Sequence, residues 1–352
     1  MNSYQYFSYT LDPLSCISVG SGDEVRFLKR MQDIIRGSVI WGALGAAWWN
    51  AIDPGYSLIG DRTSRQKVFD DLFAKNLHVR QAVPFSDKQR GKAILRPVSA
   101  MFCKYQEKEE CRDLIVADPA LERGGLKQCP ECGGILVSGK GWSVPEDWSS
   151  SITSTALTER GVSKNQNLFS REIFNPEIRF SGTLRLNVES PYYDLAENWI
   201  MMSRRISIGG RRSVLGRVRW NASRLDEPPF GVRTPTNSKS VALYIQSSAI
   251  LVDRLGFPVV SLKKWLSDYP MHQGEVASMH QGEVVATWER PVTESGWHSI
   301  AGMPKPTEWA LAAGSVALLH GWDVELLNVI GQGIGLRQNE GFGEVKLVES
   351  DV

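Results

Sequence analysis

The chain has 352 residues, with 40 Lys and Arg against 39 Asp and Glu and a formal net charge of +1. That balance excludes a whole-surface polyanion binder, because no net positive field draws phosphate in from a distance; nucleic-acid binding would have to come from a local patch. A hydrophobic fraction of 42% and a charged fraction of 22% describe a folded protein of about two domains. The longest stretch free of polar side chains, Val39 to Trp49, falls short of the roughly 20 residues of a membrane helix, so no membrane span is expected.

The opening residues, Met1 to Phe7, lack the basic start and apolar run of a secretory signal, so a cytoplasmic location is expected. In that reducing compartment the five cysteines are expected to be metal ligands, catalysts or buried side chains rather than disulfides.

The segment Tyr4 to Ser15 begins with aromatic and polar residues in alternation, the pattern of a strand. From Ile34 to Trp49 the chain reads as a turn followed by a helix, with Ser38 as N-cap. Glycines inside that helix cost about 1 kcal/mol each relative to alanine, and so point to close backbone approach. Residues from about 98 to 145 form an inserted module with most of the cysteines. Phe180 to Glu189 alternates like a strand, and Pro191 to Met202 has helical spacing. A strand, a glycine hairpin and a second strand follow, from Arg204 to Trp220. The Glu227-Pro228-Pro229 break marks a domain boundary. Beyond it, Ser240 to Val252 reads as a strand, Trp309 to Leu319 as helix or strand, and Asp323 to Ile330 as a short helix. A glycine loop and a final strand end the chain. The tandem repeat Met271 to Val276 and Met279 to Val284 reads as a hairpin or loop duplication with no assigned role.

Cys129-Pro130-Glu131-Cys132-Gly133-Gly134 has the residue types of a zinc knuckle: a two-residue gap turns both thiolates to one metal, and the glycines permit the tight turn. Cys103 and Cys111 complete a set of four, although their seven-residue gap is wider than a knuckle's. With all four positions filled by thiolates the zinc would be structural, with none open to substrate. No strand-to-helix thioredoxin context supports a redox pair. Cys16 is expected to be buried.

Between Glu197 and Asp226 the chain carries seven arginines, Arg204, Arg205, Arg211, Arg212, Arg217, Arg219 and Arg224, and no acidic residue. A guanidinium fork pairs with phosphate bidentately, while glycine lets backbone N–H groups approach the same anion. The alternative is a solvated charged face. The C-terminal glycine loop lacks Gly-Lys-Ser/Thr, and a strand rather than a helix follows it, so it is neither a Walker loop nor a Rossmann fingerprint. A structural turn and a backbone-lined RNA groove both fit its spacing. Of five histidines none sits in a nucleophile motif, and the acid pair Asp70 and Asp71 reads as helix surface. The catalytic inventory is thus poor. The enzyme alternative is a metal-independent ribonuclease using His298, since general acid and base need not be close in sequence.

The loop Gly331-Gln332-Gly333-Ile334-Gly335-Leu336-Arg337-Gln338-Asn339-Glu340-Gly341-Phe342-Gly343 resembles the C-terminal signature of the RAMP superfamily of CRISPR-associated proteins. So do Arg36-Gly37-Ser38-Val39-Ile40-Trp41-Gly42, the Phe180-Ser181-Gly182 strand and Ile208-Gly209-Gly210-Arg211-Arg212-Ser213-Val214-Leu215-Gly216. The cysteine insertion after Pro97-Val98-Ser99-Ala100, the Leu168 to Ile173 stretch, and Gly302 to Thr307 followed by Ala313 to Val316 resemble the type III-D effector subunit of the Csx-ten group. The resemblance covers residues from about 30 to 348. Two departures are Val214-Leu215 before Gly216, where such loops often carry glycine, and the wide first cysteine pair.

The resemblance implies an α+β protein of two ferredoxin-like (RRM-type) RAMP domains, 1–226 and 227–352, with a zinc-ribbon-like insertion in the first. It implies a non-catalytic subunit that caps a type III CRISPR effector complex in antiviral defence and binds the 5′ handle of the crRNA. The large signature subunit and backbone RAMP subunits would be its partners, and target RNA only indirectly. Carried over by position, the RNA-binding residues are Arg36, Gly37, Ser38, Gly209, Gly210, Arg211, Arg212 and Gly216, with Gly331, Gly333, Gly335, Arg337, Gly341 and Gly343. The arginine-rich segment adds Arg204, Arg205 and Arg217. The alternatives are a crRNA-processing endoribonuclease and a scaffold that recognises protein partners alone.

Overall fold

The computed structural model describes residues 4–25, 28–50, 62–87, 91–105, 109–111, 115–121, 127–157, 163–209, 215–227, 240–268, 282–298 and 303–352. The strand expected at the amino terminus runs over Tyr4–Pro13, with Phe7, Tyr9 and Leu11 buried and the residues between them less so. That is the period-two pattern of a sheet packed on one face. Arg179–Asn187 and Arg217–Leu225 flank it, both antiparallel. Leu77–Val79 and Val83–Ser86 pair with the far side of Arg179–Asn187. The helices Gly37–Asn50 and Tyr193–Met201 follow the first and third of these strands. Across the sheet the strands thus lie in the order fourth, first, third, second, the ferredoxin-like split βαβ arrangement. One further strand, Arg204–Ser207, extends the sheet beyond Arg217–Leu225.

The same order recurs near the C-terminus. Ser240–Ile245, Glu283–Trp288, Val316–His320 and Val345–Ser350 are the four strands, and the helices Leu262–Ser267 and Val324–Gly331 follow the first and third. All three pairings are antiparallel and again give fourth, first, third, second. Each sheet packs its helix side into its own core. Tyr9 stacks on Trp220 at 4.7 Å between centroids in one, and Leu243, Leu266, Leu319 and Leu326 meet in the other.

The chain folds into two compact units, one of Met1–Ala93, Val144–Asp226 and His298–Gly302, the other of Ile94–Ser143, Glu227–Trp297 and Met303–Val352. The cysteine insertion, expected within the first domain, therefore packs with the second unit. Sequence nesting and spatial packing diverge because the insertion's apolar and hydrogen-bonding residues meet the second sheet. Tyr244 donates to Asp118 at 2.8 Å, Ser350 to the Ala120 carbonyl at 2.8 Å, and the Val98 N–H to the Gly314 carbonyl at 2.8 Å. Ala120 is buried against Ala242, Tyr244 and Val316, so the second sheet is covered on both faces.

Three local expectations change. The first helix starts two residues early, at Gly37, because the Arg36 carbonyl accepts from Val39 at 3.0 Å and Ile40 at 3.3 Å; Ser38 lies inside the first turn instead of capping it. Within that helix Gly42 faces open space and a Cβ on Gly45 would stand at ordinary contact distance, 3.4 Å, from Phe69, so no close backbone approach requires them. Trp309 to Leu319 is not one element: the strand Met303–Leu311 ends there, Gly314 turns at φ +90°, and Val316–His320 returns. Among the described residues no helix is long and apolar enough to cross a membrane.

Candidate nucleic-acid interface and metal centre

Both glycine loops are held by one device. In the first unit the Leu14 N–H donates to the Arg217 carbonyl (2.8 Å), the Arg217 N–H to the Ser15 hydroxyl (2.9 Å), the Gly216 N–H to the Cys16 carbonyl (2.8 Å) and the Ile208 N–H to the Gly216 carbonyl (2.8 Å). In the second unit the Gln246 N–H donates to Glu344 (2.7 Å), the Glu344 N–H to Ser247 (2.9 Å), the Gly343 N–H to Ser248 (2.9 Å) and the Ile334 N–H to Gly343 (2.9 Å). The loop after the first strand is thus clasped to the strand that follows the glycine hairpin, bond for bond in both units. Gly216 (φ +76°) and Gly343 (φ +69°) are required at the crossing: a Cβ there would stand 1.8 Å from the Ile208 oxygen and 1.7 Å from the Ile334 oxygen. Gly209 and Gly335, both at φ +76°, make the matching approaches to Ser18 and Ile250.

The two clasps differ in charge. Arg217 in the first is replaced by Glu344 in the second. Within the second loop Arg337, itself left-handed at φ 58°, donates to Glu340 at 2.7 and 3.0 Å, pairs with Glu308 and lies over the Phe342 ring at 4.7 Å. Lys305 binds Glu340 at 2.6 Å, so two cations meet two carboxylates. The burial of Arg337 works against its charge, but the carboxylates hold its pKa above the ordinary value. Gln338 donates to the Gly335 carbonyl at 3.1 Å, and Gly333 and Gly341 take left-handed turns on either side. Gly331 ends the preceding helix and is buried. Arg337 and Glu340 are thus paired with each other and with Glu308 and Lys305 of the strand Met303–Leu311.

In the first unit the arginines divide by strand alternation. Arg204 lies on the helix side, over the Trp199 ring at 4.0 Å, and donates to the Trp199 and Met202 carbonyls. Arg224 pairs with Glu197 and reaches Tyr193. Arg205, Arg217 and Arg219 are exposed on the opposite face, with Ile206, Val218 and Trp220 buried between them. Arg219 joins that face through the exposed–buried alternation of 217–220, which is readable in the sequence once the strand is known. Arg36, Gly37 and Ser38 stand at the start of the first helix. Gly210, Arg211 and Arg212 lie outside the described residues, as does most of the tandem repeat.

The four insertion cysteines come together. Cys103 ends the strand Met101–Cys103, Cys111 ends a 3₁₀ turn, and Cys129 and Cys132 flank a tight turn closed by the Gly133 N–H to the Cys129 carbonyl (2.8 Å) and the Cys129 N–H to the Gly134 carbonyl (2.9 Å). All four sulfurs lie within 4.8 Å of one another, with Cys103 to Cys132 at 3.5 Å and Cys111 to Cys129 at 3.6 Å. A tetrahedral ion about 2.3 Å from each sulfur needs sulfur separations of about 3.8 Å, so the donor set fits a thiolate-bound metal. Burial resists ionisation of Cys129, but backbone N–H groups of Cys132 and Glu131 and the Cys111 thiol bring its pKa down to about 7.

No family model matches the chain, and no curated protein matches it. Among solved structures, a chain of the type III-B Cmr-beta complex bound to cognate target RNA aligns over 97% of this chain and 96% of its own, at 12% identity and TM-score 0.49. A CRISPR-associated Cas6 aligns over 99% of this chain and 100% of its own, at 9% identity and TM-score 0.35. A RAMP protein binding different RNA substrates aligns over 98% and 100%, at 12% identity and TM-score 0.35. The ferredoxin-like assignment of each unit rests on its strand order, fourth, first, third, second, with a helix after the first and third strands.

Proposed function

We propose that this protein is a non-catalytic RNA-binding subunit of a type III CRISPR effector complex, of the RAMP type and the Csx-ten group, which caps the complex and holds the 5′ handle of the crRNA. The observation that carries the reading is the first glycine clasp, flanked by Arg205 and Arg217, which are exposed and have no ion-pair partner among the described residues. Guanidinium groups with no carboxylate partner are donors that grip phosphate bidentately. The motif resemblance of the sequence supplies the complex, the handle, and the signature and backbone subunits as partners. Arg36, Gly37 and Ser38 would add a helix start to the same anion. In the second loop Arg337 is already held by Glu308 and Glu340, and the Gly333, Gly341 and Gly343 N–H groups donate within the fold, so the first loop would carry the contact. The cysteine set would hold one structural zinc.

The double substitution Arg211→Ala with Arg212→Ala tests the reading in crRNA retention across a salt series. Weaker retention with a shallower salt dependence is expected. Unchanged retention would sink it. Site-specific cutting of precursor repeat RNA in EDTA, lost in His298→Ala, would replace it with the endoribonuclease.

A further inference from the structure

We propose that the helix-free face of the first unit's sheet is a platform for single-stranded RNA, gripped at the phosphates by Arg205, Arg217 and Arg219, and that the second unit has no counterpart. This rests on the RNA-binding reading and extends it from the glycine loops to a defined surface.

The charge arrangement is the first argument. Arg205 and Arg219 are direct cross-strand partners, and Arg217 lies two residues from Arg219 on the same face. Like charges set opposite each other across two strands are destabilising, and a carboxylate neighbour is the usual relief. None of the three has an ion-pair partner among the described residues. A carboxylate on the face, Asp12, is the cross-strand partner of Arg219 on its other side. It is engaged by Arg179 at 2.7 Å and by the Asn221 amide at 2.9 Å. The positive edge is therefore left for an external anion.

The chemistry of the neighbouring rows is the second argument. Next to the arginines come Asn221 opposite Thr10, then Ser223 opposite Ser8, whose hydroxyls are 2.7 Å apart. Asn221 is held by Asp12 and by Ser203, which donates to its amide oxygen at 2.7 Å, so the Thr10, Ser8 and Ser223 hydroxyls are the groups that would offer hydrogen bonds to sugars and base edges beside the phosphate contacts. The three arginines span two adjacent strands, about 5 Å. A single strand laid there exposes its base edges to the neighbouring hydroxyls, which a duplex keeps paired.

The contrast between the units is the third. In the second unit the equivalent face is closed by Ala120, buried against Ala242, Tyr244 and Val316 and tied down by Tyr244 to Asp118. The clasp position of Arg217 is Glu344 there. Among the described residues, the open cationic face is that of the first unit.

The test is binding of a fluorescent single-stranded RNA to the full chain at low ionic strength, for the wild type, Arg205→Ala/Arg217→Ala/Arg219→Ala, and the three arginines changed to lysine. The alanine triple is expected to bind at least about tenfold more weakly and to lose about two units of salt slope, at about 0.7 per single-strand phosphate contact; the lysine triple should retain most of both. The three side chains are exposed, so both variants should fold, which circular dichroism checks. If the wild type binds and the alanine triple binds equally, the platform is wrong while the glycine-loop reading stands. If the wild type binds no RNA, the RNA reading fails and the platform with it. Equal competition by duplex RNA would overturn the single-strand assignment, and displacement by polyglutamate at matched charge would reassign the face to an acidic protein.

Discussion

At Gly216 and Gly343 a carbonyl oxygen occupies the space any side chain would need. Alanine at either position adds left-handed strain to a direct clash, and should cost about 2–4 kcal/mol. A thermal melt of Gly216→Ala and Gly343→Ala against Gly42→Ala checks this: the first two should fall by several degrees, while Gly42, which faces open space, should hold or rise. Equal effects at all three would show that the clasp is not the constraint. Neighbouring residues can have opposite fates at this scale. Arg204 and Arg205 read alike as members of an acid-free run, yet one packs on Trp199 and the other faces solvent. Strand alternation makes that division, and the run alone does not state where the strand begins.

The C-terminal loop is an element held by its own ion cluster. Its spacing leaves a structural turn and an RNA groove equally open, and the cluster weighs toward the turn for the side chains. Glu340, three residues after Arg337, is a partner that sequence spacing can suggest; Glu308 and Lys305 come from a distant strand and are not legible before folding. Burial opposes ionisation of Glu340, but hydrogen bonds from Arg337 and Lys305 outweigh it and leave its pKa below the usual carboxylate value. A folded-state value below the unfolded one gives stability that is present above the unfolded pKa and lost as pH falls through the folded one. The melting-temperature gap between wild type and Glu340→Gln should therefore be positive at about pH 7 and close below about pH 4. A gap that does not change with pH would remove the cluster from the stability of the loop. The cysteine pair Cys129 and Cys132 was legible for the opposite reason: a two-residue gap fixes both thiols on one turn regardless of the rest of the fold.

For the whole molecule, the cysteine module carries the strand Ile115–Ala117 and, directly after it, the residues that cover the second sheet. Metal analysis should find about one zinc per chain, and chelation should raise hydrogen exchange at the Ala120 and Gly133 amides together. Less than one zinc, or exchange confined to the cysteine turn, would separate the metal from the covered sheet. The local devices, namely the α+β periodicities, the two glycine loops and the four thiols, follow from residue type or from residues close in the chain. Tertiary structure alone decided that the insertion joins the second unit, that Arg337 is neutralised, and that Arg205, Arg217 and Arg219 share one open face. Those outcomes depend on contacts across as many as 230 residues, such as Ser350 to Ala120, and burial and charge pairing at that range are set only when the sheets assemble.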